Sequence, residues 1–301
     1  MLELQAFGPV DLRTDDGDVG AVLTQPKRLA LLLYLALARP QRFQRRDALL
    51  ALFWPELDEA RARNALSQSL SFLRRGLPAG LLQTRGAEEV GVDPAGLRCD
   101  VLDFERALEA QRWAEALDLY RGELLAGFHV ADAPGFESWL ELERERLREL
   151  AAGAAWSLAR QRIAGAELML AERAGQQALR LVPTDESAVR EFIRALAGAG
   201  DRAAALRFYE KFKGILAEEL EVEPAPETAA VVAAIRAGDI GPAPSSGEAA
   251  TGMARVPAAN GTTGEAASAP SAPTSTAAPI RRVRRTGWLK VAVGISLIAV
   301  V

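Results

Sequence analysis

The stretch RARNALSQSLSFLRRGLP, Arg61 to Pro78, decides how the chain is read. Ala62, Leu66, Leu70, Leu73 and Leu77 recur at spacings of three and four, which places them on one stripe of a helix. Arg63, Asn64, Ser67, Gln68, Ser71, Arg74 and Arg75 fall on the other side and bring cations, amides and hydroxyls with no acid among them. A solvated face ordinarily mixes both signs, because Glu and Lys support each other one turn apart. An acid-free face suits a polyanion instead. Arg neutralises phosphate, and Arg, Asn, Gln and Ser reach base edges in a major groove. The competing reading is a solvated amphipathic helix that lacks acids by chance, so the flanking segments have to decide.

Upstream, LELQAF and VDLRT flank Gly8-Pro9 as short alternating strands, and the DDGD turn leads to AVLT, read as a further strand. A helix is expected from about Pro26, PKRLALLLYLALA, with proline in its first turn where the missing N–H costs nothing; Arg39-Pro40 ends it. QRRDALLALFWP gives a shorter helix closed by Pro55. Downstream of the quoted stretch, LLQTR and EVGVD form a two-stranded ribbon around a turn. Strands, three helices and a ribbon make the order of a winged helix-turn-helix with an N-terminal sheet, expected over residues 1–98.

Residues 99–240 read as nearly all helical. AEALDLY at 114–120 recurs as AAALRFY at 203–209, with small residues spaced for close helix–helix approach. Residues 178–212 have the length and rhythm of one tetratricopeptide-like unit, Pro183 punctuating its start and GAGD making its turn. Tyr120 and Tyr209 are expected at helix–helix contacts, with Leu117 and Leu206 beside them. A generic Ala/Leu-rich bundle is the alternative.

Composition agrees with a mainly α chain of two folded parts. Hydrophobic residues make up 49% of the 301, charged residues 25%, and aromatics are few. A net charge of -4 argues against a uniformly basic coat but permits a local basic face. Cys99 is the single cysteine and His129 the single histidine, so neither a disulfide framework within the chain nor a zinc site of soft ligands is expected, and no cofactor is called for.

From residue 241 to 279 the sequence turns to Pro, Gly, Ser, Ala and Thr with few apolar anchors, the composition of a disordered linker. Arg281, Arg282, Arg284, Arg285 and Lys290, with Trp288, then precede the apolar run Val291 to Val301. A basic cluster, an interfacial Trp and an uncharged run form the pattern of membrane entry from the cytoplasmic side. Residues 280–301 are therefore expected to begin a truncated transmembrane helix. That makes a single-pass inner-membrane protein with residues 1–280 in the cytoplasm. The alternative is a cytoplasmic protein whose hydrophobic tail lies at the membrane surface or in the bundle.

The segments PKRLALLLYLAL, RARNALSQSLSFLRRGL, TRG, DVLDFE and EELEVEPAPE together resemble a known family. Residues 1–98 resemble the response-regulator type of winged helix. Residues 99–240 resemble the bacterial transcriptional activation domain that follows it in the SARP antibiotic regulatory proteins. EELEVEPAPE, Glu218 to Glu227, is the most specific match. The resemblance implies double-stranded DNA as partner, with the third helix in the major groove. Arg63, Asn64, Ser67, Gln68 and Ser71 then become contacts to bases or groove, and Arg74 and Arg75 phosphate clamps. It also makes Arg85 the wing contact and Lys27 and Arg28 backbone-phosphate contacts. The helical domain is expected to serve for dimerisation with a second copy of the chain, for contact with transcription machinery such as RNA polymerase, or as a signal-responsive brake. Two positions depart from the pattern. Phe72 stands where the family usually has Arg, and the wing tip reads GAEEV, with Glu88 and Glu89 where acids repel phosphate.

No enzymatic constellation competes with this reading. A G-x-x-x-x-G-K-[ST] loop is missing, since Lys27, Lys211, Lys213 and Lys290 all follow residues other than glycine. A lone His129 supports no Ser–His–Asp set, and the carboxylates from Glu137 to Glu149 alternate with Arg144, Arg146 and Arg148 as on an ion-paired solvated face. The other reading from a different class is a tetratricopeptide-like scaffold whose winged domain contacts protein rather than DNA.

Overall fold

The computed structural model describes residues 1–15, 19–39 and 42–241. They belong to the first of two units, Met1–Gly247; the second, Glu248–Val301, lies outside the described residues. The expected membrane segment at 280–301 and nearly all of the 241–279 linker therefore fall outside them as well. Among the described residues no helix is long and apolar enough to cross a membrane.

β1 (Leu2–Gln5) is the middle strand of a three-stranded sheet, antiparallel to β2 (Asp11–Thr14) and parallel to β6 (Leu97–Cys99). Leu2 and Leu4 point into the core and Glu3 outward, the period-two alternation of a half-buried strand. The segment expected as an AVLT strand is instead a single helical turn, α1 (Gly20–Leu23). Val22 is buried in the core, and Thr24 Oγ1 donates to the Ala21 carbonyl at 2.9 Å to close the turn. Four apolar residues carry no period of their own, so tertiary burial set their conformation.

α2 (Pro26–Leu37) starts on its proline as expected and is buried almost all round, through Leu29, Ala30, Leu31, Leu32, Leu33, Leu35 and Leu37. β3 (Phe43–Arg45) follows, then α3 (Arg46–Phe53), α4 (Glu59–Gly76), β4 (Leu82–Arg85) and β5 (Glu89–Val92). The expected two-stranded ribbon is thus three-stranded, in the order β3-β5-β4. β3 lies where the sequence suggested the start of a helix. Gly91 of β5 sits opposite Phe43, and a Cβ there would stand 2.5 Å from the Arg42 carbonyl oxygen, so β3 approaches only because that residue is glycine.

The remainder is helical: α5 (Asp100–Glu109), α6 (Trp113–Leu119), α7 (Pro134–Ala164), α8 (Leu168–Leu181), α9 (Glu186–Gly198), α10 (Arg202–Ile215) and α11 (Pro226–Ala237). α7 pairs with α8 and α9 with α10, while α11 packs on α9 and α10. Asp185 and Asp201 cap α9 and α10 by accepting from the N–H groups of Ala188 and Ala204.

Two apolar cores result, and their division falls inside α7. The first extends from Leu2 to Ala151; the second takes Leu117 and the residues from Ala154 to Ile235. The sheets and α2–α4 therefore share a core with α5, α6 and the first half of α7. Phe7 meets Phe104 edge-on at 5.3 Å and Tyr120 at 4.8 Å, and Tyr34 meets Trp139 of α7 at 5.0 Å. The Asp100 carboxylate accepts from the N–H groups of Ala6 at 2.9 Å and Phe7 at 3.0 Å. Gly8 N–H donates to the Glu123 carbonyl and Leu125 N–H to that of Ala6, which ties the end of β1 to the loop before α7. The paired motifs AEALDLY and AAALRFY are not equivalent: the first is divided between the two cores through Ala116 and Leu117, and the second lies in the second core. Tyr120 is half-buried against the first core and Tyr209 is buried in the second, while Leu117 is buried and Leu206 only half-buried.

Candidate nucleic-acid interface

α4 begins at its cap. Asp58 Oδ1 accepts from the Arg61 N–H at 2.9 Å, and Glu59 places a further negative charge in the first turn, where the helix dipole favours it. Ala62, Leu66, Leu70 and Leu73 bury the inner stripe, joined by Ser69, whose hydroxyl donates to the Ala65 carbonyl at 2.8 Å and so enters the core satisfied. Outside, Arg63, Asn64, Ser67, Gln68, Ser71, Arg74 and Arg75 are all exposed. At 18 residues the helix is about 27 Å long, with a diameter near the ~12 Å width of a major groove.

Two clefts flank this ridge, and Ser67 lines both. The first lies between α4, the start of α3 and the wing tip, and is lined by Arg45, Arg46, Arg63, Ser67 and the acids Asp47, Glu59 and Glu88, among others. The second lies on the side of α2 and is lined by Arg28, Ser67, Gln68, Ser71, Phe72 and Arg75. Ser67 and Gln68 thus stand on the crest, within reach of anything that straddles it.

Charge is distributed unevenly around the ridge. Arg63 is paired with Glu59 one turn before it, and Arg61 with Asp58 at 3.2 Å. On the wing, Arg85 and Glu89 are direct cross-strand partners, and their side chains pair at 2.5 Å. The Arg85 hydrogen bond holds the Glu89 carboxyl below the usual range. Arg85 also lies 5.2 Å from the Phe43 ring. Arg45 pairs with Asp47 at 2.8 Å and approaches Glu88 at 3.8 Å, which holds Asp47 low in turn. Arg74 and Arg75, in the last turn of α4, have no ion-pair partner among the described residues.

Lys27 has partners within the fold. Its ammonium donates to the Asp132 carbonyl at 3.1 Å, lies 3.8 Å from Glu56 and stands 5.9 Å from the Trp54 ring. It ties α2 to the loop before α7. Arg28, its neighbour, turns to the second cleft, with its guanidinium 4.2 Å from the centre of the Phe72 ring.

Two arginines were missed by sequence reasoning, Arg45 and Arg46. Both line the first cleft, and Arg46 Nε is buried without a hydrogen-bond partner among the described residues. QRRDALL reads as the start of a helix; the signal that finds them is two adjacent cations directly ahead of an apolar helical run. Among the described residues no group of His, Cys, Asp or Glu could hold a metal ion.

Comparison with known proteins adds to this geometry. Residues 98–236 match the family model described as bacterial transcriptional activator domain. The chain is 27% identical over 249 residues to the regulatory protein DnrI of Streptomyces peucetius, covering 74% of this chain and 88% of that protein. It is also similar in fold to EmbR of Mycobacterium tuberculosis, solved in complex with a low-affinity phosphopeptide. The TM-score is 0.50 at 22% identity, and the match covers 79% of this chain and 65% of EmbR. The described part is accordingly mainly helical with small N-terminal sheets, a fold shared with EmbR, of whose length it spans less than two thirds.

Proposed function

We propose that the chain is a SARP-type, sequence-specific DNA-binding transcription regulator. Residues 1–98 place α4 in the major groove, and residues 99–240 serve as an interaction and activation domain for RNA polymerase or a second copy of the chain. One observation carries the reading: from Asn64 to Arg75 the exposed side of α4 holds cations, amides and hydroxyls and no acid. The match of residues 98–236 to an activator domain and the likeness to a named regulatory protein support it.

In this reading Asn64, Ser67, Gln68 and Ser71 face base edges, and Arg74 and Arg75 grip phosphate. The wing contributes less, because Arg85 must first leave Glu89. The test is a gel shift against DNA upstream of the protein's own gene. Gln68→Ala should relax preference at one or two base pairs by about 1–3 kcal/mol. Arg74→Ala should weaken all sequences alike and lower the salt slope by roughly one. Equal loss of specific and non-specific binding in Gln68→Ala removes Gln68 from the reading set, and absence of salt-dependent binding in the wild type overturns the function.

The membrane anchor at 280–301 rests on sequence alone. Its test is fractionation: full-length chain should pellet with membranes and resist alkaline wash, and a version ending at Pro279 should remain soluble and bind DNA.

A further inference from the structure

The second cleft differs from the first in its chemistry. Its lining is two guanidiniums, two hydroxyls, one amide and one aromatic ring, with no carboxylate, whereas the first is lined by Asp47, Glu59 and Glu88. Arg63, Arg45 and Arg85 each have an acid within ion-pair distance. Arg28 and Arg75 have none among the described residues, so an incoming anion meets no internal competitor there. Arg28 comes from α2, not from α4, and the Phe72 ring 4.2 Å beneath its guanidinium is what brings it to the cleft. A ring attracts a cation without neutralising it. The guanidinium keeps its charge for a ligand while part of its freedom is already removed.

We infer that this cleft seats one backbone phosphate of duplex DNA, with Arg28 and Arg75 as its cations and Phe72 as the positioning residue for Arg28. The inference rests on the DNA-binding reading above and deepens it. α4 is then fixed in register by a contact from a different helix, at the side of the ridge away from the wing. Arg28 supplies the charge that a cation at position 72 would otherwise bring. A planar guanidinium that accepts ring contact on one side can still offer paired N–H donors to phosphate oxygens.

Binding of full-length chain to sonicated mixed-sequence duplex DNA, followed across a series of KCl concentrations, tests this. Arg28→Ala should lower affinity roughly three- to tenfold and reduce the salt slope by about 0.9. Phe72→Leu keeps an apolar side chain against the core and should lower affinity about two- to fivefold. In the Arg28→Ala background Phe72→Leu should cost nothing further, and Phe72→Tyr, which keeps the ring, should bind as wild type does. Wild-type chain that fails to bind even at low salt overturns the DNA reading itself. Wild-type binding with an unchanged slope in Arg28→Ala overturns the phosphate seat alone. An equal loss from Phe72→Leu with and without Arg28, or a loss in a folded Phe72→Tyr, overturns the positioning role.

Discussion

Phe53 of α3 and Phe136 of α7 lie with ring centroids 5.4 Å apart and planes inclined by 30°, both fully buried. α3 and α7, the longest of the described helices, thus pack in one core. Phe136→Ala should cost about 3–5 kcal/mol. Because that core runs to Ala151, the loss should appear in the winged part too. Denaturation followed by helical circular dichroism and by the fluorescence of a variant that keeps Trp54 as its one tryptophan should give one coincident transition, shifted by the substitution. A fragment of residues 1–98 should then fail to fold cooperatively, since it lacks Phe104, Phe136 and Leu140. Folding of that fragment with a sharp transition would show that the shared core is dispensable.

The cross-strand pair Arg85–Glu89 sets an expectation of opposite sign to most substitutions. Glu89→Gln should free Arg85 and remove one charge that repels phosphate. Affinity for mixed-sequence duplex should rise roughly threefold, with a salt slope steeper by up to about 0.9. An unchanged slope would place the wing away from the DNA backbone.

In the second core, Gly175 lies where a Cβ would meet the Phe192 ring at 2.7 Å and the Phe208 ring at 3.2 Å. Those rings already pack edge-to-face at 4.7 Å and have no slack toward α8. Gly175→Ala should therefore destabilise by about 1–3 kcal/mol, despite the higher helix propensity of alanine. Urea denaturation measures it, and stabilisation would mean the rings can retreat.

Cys99 is fully buried beside Asp100, and burial pushes its thiol from 9.0 up to about 12. The folded state therefore needs the neutral thiol. Its stabilising contribution is intact below pH 9.0 and is lost as pH rises from there toward 12. Wild-type Tm should fall over that window more steeply than that of Cys99→Ala. Iodoacetamide at about pH 8 should label the thiol only after unfolding. Rapid labelling of native protein would contradict the burial.

How much of this was legible in the sequence depended on whether the cause was local. Pro26 announced the start of α2 and the spacing of Leu66, Leu70 and Leu73 announced α4, because those signals lie within a few residues. The exposed set from Arg63 to Arg75 followed from the same period. β3 and β6 were illegible: each is three residues long and exists only for a partner far away, Gly91 for Phe43 and Leu2 for Leu97. Of the acids that quiet Arg63 and Arg85, Glu59 went unread, and Glu89 was read as a repulsion at the wing tip but not as the partner of Arg85. Glu59 precedes the quoted stretch by two residues, and Glu89 reaches Arg85 only through the register of a hairpin. The tie between Lys27 and the Asp132 carbonyl was out of reach of the sequence, since the two lie 105 residues apart. Tyr120 and Tyr209 sit in nearly identical words and in different cores, so a repeated word specified a helix face and not what it would meet.

The parallel pairing of β1 with β6 has a consequence for synthesis. Leu2 leaves the ribosome before its partner Leu97, which follows 95 residues later. At about 5–20 residues per second the strand waits roughly 5 to 20 s for its neighbour, and longer still for Phe136. During that interval Leu2 and Leu4 lack the cover of β6 and α5, while α4 with its cationic face has already emerged. Ribosome-associated holdases should therefore be found on short nascent chains and should leave once α7 has emerged.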